Sequence, residues 1–289
     1  MAEAPLRGAV IFLHGSGDSG DGIEDWLNST CRGAWDREFS EARIKLVYPD
    51  APVIRYTLAG GCPQAVWFDR MDMAYEAPED KAGMEKSIEQ IDQEIDKLVA
   101  EGIPLDHVAV GGMSMGGCLA LHVGYGAGRH AGKLGAVCSF STFLAEDSGL
   151  DEIATARFKH GPAAVLEDGA AVTLEGLEKA VELNGQEGCC EQWVEEAGRW
   201  SVRLGSGGVK AIKPENLKPH AKAPPLFMSH GAADGMIAPA WAMRTRDRLA
   251  SCGILAPDKV PMWPGLGHDM CEPQVRSLIK FFLSHLTKS

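Results

Sequence analysis

The 289-residue chain contains no C-x-x-C pair and no G-x-x-x-x-G-K-[ST] loop. Its eight cysteines, Cys31, Cys62, Cys118, Cys138, Cys189, Cys190, Cys252 and Cys271, therefore read as free thiols. No metal-like histidine spacing accompanies them, so neither a metal nor a cofactor is expected. Without a lysine-bearing phosphate loop, nucleotide binding is not expected either. Basic residues are few, 28 against 40 acidic, and unclustered; a formal net charge of −12 and a pI near 5.2 leave nothing to attract nucleic acid or an anionic membrane. Apolar runs fall far short of the ~20 residues that cross a bilayer. The opening Met1-Ala2-Glu3-Ala4-Pro5-Leu6-Arg7 shows no charged segment leading into an apolar stretch and cleavage site. Together these absences give the expectation of a soluble cytoplasmic protein without stable membrane insertion. Homo-oligomerisation is left open.

Glycine is abundant, and it concentrates where one serine sits. In Val108-Ala109-Val110-Gly111-Gly112-Met113-Ser114-Met115-Gly116-Gly117-Cys118-Leu119-Ala120, an apolar run meets a glycine cluster and then small and aliphatic residues at helical spacing. This reads as strand, sharp turn, helix, the arrangement of a nucleophile elbow. The turn holds the serine in a strained conformation, and side chains two residues to either side would collide with strand and helix, so Gly112 and Gly116 occupy those places. The helix beginning at Met115 would aim its N–H groups and positive dipole end at a nearby oxyanion.

Along the chain, strands and helices alternate. Gly8–Leu13 is a buried strand delivering the loop His14-Gly15-Ser16-Gly17-Asp18-Ser19-Gly20, whose Ser16 backbone N–H is the expected second oxyanion donor beside that of Met115. A short helix over Ile23 to Cys31 and a strand over Ile44 to Tyr48 follow. The proline-, glycine- and aromatic-rich stretch to Asp69 reads as a loop against the site, with Trp67 and Phe68 as pocket wall or core. Met84, Ile88, Ile91, Ile95 and Leu98 mark one apolar stripe of a helix. After the elbow come strands at Leu134–Phe140, Pro225–Ser229 and Val260–Trp263, a helix over Ala240 to Ser251, and a closing helix carrying Val275, Leu278, Ile279 and Phe282. The layout implies an α/β fold with a mostly parallel, doubly wound sheet and helices on both faces. One domain spans residues 1–289. It is interrupted at about 149–214 by a polar, glycine-rich insertion, with a helical stretch expected near Val172 to Leu183 and two tryptophans, Trp193 and Trp200, expected to dock it on the body.

A serine nucleophile needs a histidine base oriented by a carboxylate, and in elbow enzymes the acid and base follow in that order on loops after later strands. Asp234 lies in the loop after the strand ending at Ser229, and His268 in a glycine-flanked loop after the next. His107, His122 and His285 arrive from the wrong places. His14 and His230 precede glycines at strand ends and are expected to brace their loops.

Taken together, Phe12-Leu13-His14-Gly15-Ser16-Gly17-Asp18-Ser19-Gly20, Tyr48-Pro49-Asp50-Ala51-Pro52, Tyr56-Thr57 with Gly60-Gly61, Val66-Trp67-Phe68-Asp69, the Gly111–Cys118 elbow, His230-Gly231-Ala232-Ala233-Asp234 and Gly267-His268 resemble the phospholipase/carboxylesterase family of α/β-hydrolases. The likeness includes the acyl-protein thioesterases and is strongest to the lysophospholipase-like branch. It implies a catalytic triad of Ser114, Asp234 and His268, oxyanion donors at Ser16 and Met115, no cofactor, and a small-molecule ester or S-acylated protein as substrate. Serine standing at position 16, where thioesterases usually carry leucine, favours short to medium acyl groups. Gly235 in place of a usual proline would loosen the acid loop, no cysteine near the N-terminus offers a lipidation site, and the insertion lengthens the serine-to-aspartate separation. A serine hydrolase of carboxylic esters or thioesters is therefore expected, with a lysophospholipase, or a weakly catalytic binding protein of the same fold, as alternatives.

Overall fold

The protein is described from a computed structural model, over residues 5–159, 166, 168–219, 223–254 and 260–287. The elements run β1 (Gly8–Leu13), α1 (Gly20–Thr30), α2 (Ala34–Glu41), β2 (Ile44–Val47), β3 (Val53–Tyr56), β4 (Cys62–Ala65), α3 (Lys81–Ala100), β5 (Val108–Met113), α4 (Met115–Tyr125), β6 (Ala136–Phe140) and α5 (Leu150–Ala154). They continue with β7 (Ala171–Leu174), β8 (Glu187–Val194), β9 (Arg199–Leu204), β10 (Val209–Ile212), β11 (Leu217–Pro219), β12 (Leu226–Gly231), α6 (Pro239–Ser251), β13 (Met262–Trp263) and α7 (Glu272–Leu286).

Six strands form the central sheet in the order β13-β12-β6-β5-β1-β2, and every neighbouring pair is parallel. The continuous apolar runs of β1 and β5 follow from burial on both faces, which parallel strands under crossover helices require. Along β1, Ala9, Ile11 and Leu13 face one apolar cluster with α3 and α4, whereas Val10 and Phe12 face a second with α1, α2 and α7. Helix α3 presents the expected stripe from Met84 to Leu98, with Asp80 capping its start by accepting from the Gly83 N–H at 3.0 Å. Helix α4 is buried over its whole length, as a helix apolar on all sides must be. The expected strands and helices of this body all form, with ends shifted by no more than three residues.

Three expectations need correction. The stretch after Tyr48 is not only loop: β3 and β4 pair as an antiparallel hairpin, register Val53↔Ala65 to Tyr56↔Cys62, closed by a short turn at Thr57–Ala59 and Gly60 at φ 65°. Val172 to Leu183 is not the expected helix either: it opens as a strand and holds only a single 3-10 turn at Val181–Leu183. Val172 and Leu174 are buried on either side of Thr173, a strand period carried by β-branched residues, and Gly176 at φ 69° ends the run. This strand, β7, belongs to a separate five-stranded antiparallel sheet of order β10-β9-β8-β7-β11. Its apolar side is filled by Val172, Leu174, Cys190, Trp200, Val202, Leu204, Ile212 and Leu217. Trp193 and Trp200 pack against each other, with ring centroids 5.7 Å apart, inside this cluster. Contrary to expectation, they fill the insertion's own core and do not dock it on the body. Positions 160–165 and 167 of the expected insertion lie outside the described residues.

Candidate active site

At the carboxyl end of β5 the chain reverses into α4 through Ser114, which adopts φ 55° and ψ −121°. Such a conformation costs an ordinary residue about 1–3 kcal/mol and persists only where its surroundings fix it. Here the fixing is visible. The Ser114 N–H donates to the Phe140 carbonyl at 2.8 Å, and the Thr142 hydroxyl donates to the Ser114 carbonyl at 2.6 Å. A Cβ on Gly112 would lie 2.4 Å from the Gly116 carbonyl carbon, and one on Gly116 would lie 2.4 Å from the Leu13 oxygen. Both glycines are thus imposed by close backbone approach.

The loop after β1 passes beside the elbow, where a Cβ on Gly15 would stand 3.5 Å from that of Ser114. Histidine 14 fastens this loop: its Nδ1 meets the Gly15 carbonyl at 2.6 Å, its Nε2 accepts the Ala51 N–H at 3.0 Å, and the Trp67 indole donates to its carbonyl at 2.9 Å. His14 therefore braces, as its position before a glycine suggests. Neither the Ser16 nor the Met115 N–H makes a hydrogen bond among the described residues, and both residues line the same small cleft as Ser114. The remaining wall includes Tyr56, Phe68, Arg70, Met73, Phe143 and Ile237, around a space of about 50 Å³. Of the two aromatics expected there, Phe68 lines the cleft; Trp67 does not, and is buried behind the β1 loop.

Asp234 and His268 are brought together by stitched loops. Ala232 N–H donates to Trp263 and Ala233 N–H to Leu266, at 2.9 and 2.8 Å, fixing the loop after β12 against the one after β13. His268 Nδ1 lies 2.8 Å from Asp234 Oδ2. The other carboxylate oxygen accepts the Met236 and Ile237 N–H groups, each at 2.9 Å, so the loop around Gly235 is fastened from within despite the missing proline. His230 lies against the same carboxylate at 3.3 Å and bonds the Ile237 carbonyl at 3.0 Å. Burial lowers the His230 pKa, opposed by that backbone bond and by Asp234, which keeps the imidazole neutral. The acid loop reaches the cleft through Met236 and Ile237, while the Ser114 hydroxyl makes no hydrogen bond among the described residues. No hydrogen bond joins Ser114 to His268 among the described residues, and His268 is not among the residues that line the cleft.

Three supports have no sequence signal strong enough to find them. Thr142 lies far from the elbow in sequence and is revealed only by the β5–β6 register. Ser229 accepts from the Trp263 indole and the Gln274 amide, at 2.8 and 2.7 Å, and so ties the strand before Asp234 to the segment carrying His268. Arg70 lies over the Phe143 ring at 4.7 Å and donates to the Asp72 and Ala74 carbonyls, holding the cleft's rim. One further group could hold a metal: Glu79, Cys118 and His122 present donor atoms within 4.8 Å of one another.

The sequence model of the phospholipase/carboxylesterase family matches residues 1–162, which include Ser16, Phe68, Ser114 and Met115. The chain is 26% identical to lysophospholipase-like protein 1 of Mus musculus over 96% of its own length and 87% of that protein's. It is 27% identical to acyl-protein thioesterase 1 of Neurospora crassa, covering 99% of this chain and 90% of that one. Among solved structures, Arabidopsis thaliana SOBER1 aligns over 96% of this chain and 99% of that chain, with a TM-score of 0.63 at 18% identity, a likeness of fold. By its matched half, its full-length relatives and its parallel sheet under two helical layers, the chain belongs to the phospholipase/carboxylesterase family of α/β-hydrolases and is a serine hydrolase of ester or thioester bonds.

Proposed function

We propose that Ser114, Asp234 and His268 form the catalytic triad of a cytoplasmic esterase or thioesterase acting on short to medium acyl groups, carried by a small molecule or a protein cysteine. The observation that carries the reading is the strained serine at the α4 N-terminus beside two unengaged N–H donors. With Nδ1–H donating to Asp234, the His268 Nε2 lone pair is free to take the Ser114 proton as the hydroxyl attacks the acyl carbonyl. The Ser16 and Met115 N–H groups would bind the tetrahedral oxyanion, aided by the helix dipole. His268 then returns the proton to the leaving alcohol or thiol, and a water activated by the same nitrogen releases the acyl group from Ser114.

Acyl length follows from space. A cleft of about 50 Å³ is far below the roughly 300–1,000 Å³ of sites that enclose larger ligands. Its wall of Phe68, Met73, Met115, Phe143 and Ile237 suits a short hydrocarbon chain. The test is labelling by a fluorophosphonate together with turnover of oxy- and thioesters from C2 to C16. Ser114→Ala should abolish labelling and lower kcat by at least about 10³-fold, with the fold intact. Parental turnover in that variant would refute the triad. A rate maximum at the longest chains would refute the acyl preference and favour a lysophospholipase.

A further inference from the structure

Behind the cleft wall, three chemically different donors converge that the hydrolytic reaction does not use. Cys118 and His122 stand one turn apart on α4, and Glu79 reaches them from the loop before α3. Glu79 Oε1 lies 3.0 Å from His122 Nε2, and both side chains are only 5% exposed. The Ser148 hydroxyl lies 3.2 Å from the same nitrogen. Cys118 is buried, its thiol makes no hydrogen bond among the described residues, and it also lines the cleft beside Ser114.

We propose that Glu79 Oε1, Cys118 Sγ and His122 Nε2 bind a borderline-soft divalent cation of the zinc class, which closes the acyl cleft and inhibits the enzyme. Neighbouring ligands of a tetrahedral zinc stand about 3.2–3.7 Å apart, so donors already within 4.8 Å reach that geometry with small side-chain adjustments. Carboxylate, imidazole and thiolate are the ligand types that zinc accepts together, whereas calcium and magnesium take oxygen. The fourth position falls to the Ser148 hydroxyl or to water from the cleft. Binding is a ligand exchange: the Cys118 S–H bond breaks, its proton leaves to solvent, the sulfur lone pair forms the metal bond, and the single imidazole proton resides on Nδ1. No electron is transferred. A dication between the Glu79 carboxylate and the Cys118 sulfur offsets the repulsion that a thiolate there would otherwise meet. Entry is from the cleft, where Cys118 is the wall.

Inhibition rests on the catalytic reading given above, whereas binding does not, and the two are measured separately. Zn²⁺ retained after equilibrium dialysis of the full chain gives stoichiometry, and Co²⁺ substitution reports sulfur ligation through a thiolate charge-transfer band. One site per chain is expected, with ester turnover falling over the same Zn²⁺ range. Cys118→Ser and Glu79→Gln should each weaken binding by about tenfold or more, and Glu79→Gln should keep metal-free turnover. Ser114→Ala and His268→Ala should bind as the parent does. No retained Zn²⁺, binding indifferent to Cys118→Ser and Glu79→Gln, or binding lost in His268→Ala would each overturn the site, the last by placing the cation on the triad. Binding without inhibition would overturn the closing of the cleft. A chain that binds Zn²⁺ as described but cleaves no ester would sink the triad and leave the metal site standing.

Discussion

The two sheets of this molecule solve the same burial problem in opposite ways. In the six-stranded body, β1 and β5 are buried on both faces, and the elbow, the acid and the histidine all sit on loops beyond the carboxyl ends of its strands. In the five-stranded sheet of β7 to β11, strands alternate, as in Trp200, Val202 and Leu204 inward with Ser201 and Arg203 outward, over a single small core. The first arrangement covers both faces and leaves the strand ends open, and chemistry collects there. The second leaves its outer face only partly covered and, among the described residues, contributes none to the cleft.

The sharpest way to break this contrast is to ask glycines from each region the same question. A methyl group on Gly116 would meet the Leu13 and His14 carbonyl oxygens at 2.4 and 2.5 Å, backbone atoms that cannot swing aside. Gly116→Ala should lower stability by about 2–4 kcal/mol and turnover by far more than the unfolded fraction explains. In the insertion, Gly198 has φ 59°, and a methyl group there would meet nothing within 4 Å. Gly198→Ala should cost about 1–2 kcal/mol from backbone strain alone and leave kcat/KM unchanged. Urea unfolding and ester turnover measured on both variants decide it. Equal effects on turnover would mean that the elbow is no more constrained than an ordinary turn.

A smaller effect isolates positioning from folding. Thr142→Val removes the hydroxyl that donates to the strained Ser114 carbonyl, so kcat should fall about tenfold, with KM little changed and Thr142→Ser restoring most of the loss. A change confined to thermal stability would reduce Thr142 to a packing residue.

This difference between regions also explains what can be read from the sequence. Where burial is two-sided, the sequence carries unbroken apolar runs such as Ala9-Val10-Ile11-Phe12-Leu13 and a long helical stripe from Met84 to Leu98, and both elements form as expected. The elbow is legible because close approach excludes every residue but glycine at positions 112 and 116. The insertion misleads because its strands are short and half-polar, so Val172 and Leu174 look equally like part of a helix face until Thr173 is seen between them on the outer side. Trp193 and Trp200 give no sign of pairing with each other across β8 and β9, since register depends on a bulge between Cys190 and Gln192. Trp67 and Phe68 are adjacent and equally aromatic, yet only the fold decides which faces the cleft.

Acid should divide the regions as well. His230 is buried beside Asp234 and His268, its Nδ1 has no partner among the described residues, and burial lowers its pKa from the ordinary 6.5. As pH falls through about 6.5, the unfolded chain binds a proton that the folded chain refuses, so folded stability declines and levels off only below the native value. No histidine occurs in residues 168–219, so this effect has no counterpart in β7 to β11. Melting temperature should therefore drop between pH 7.5 and 5.5 in the parent and drop less in His230→Gln. An identical slope in the variant would assign the loss to other groups.

The smallest effect is expected from the largest change. Strands β7 and β11, which open and close the second sheet, are antiparallel neighbours with Val172 opposite Pro219, so the excursion begins and ends at one place. Its core cluster is built from its own side chains. One visible tie to the body, Lys159 Nζ to Glu187 Oε1 at 2.5 Å, is partly exposed and worth no more than about 1 kcal/mol. Replacing residues 171–219 by a short glycine–serine link should thus leave a folded body whose kcat/KM on a C2–C4 ester stays within about twofold of the parent. This outcome would make the second sheet an appended module that leaves the chemistry untouched. A loss of tenfold or more would instead show that the sheet supports the walls of the cleft from outside, because none of its described residues lines that space.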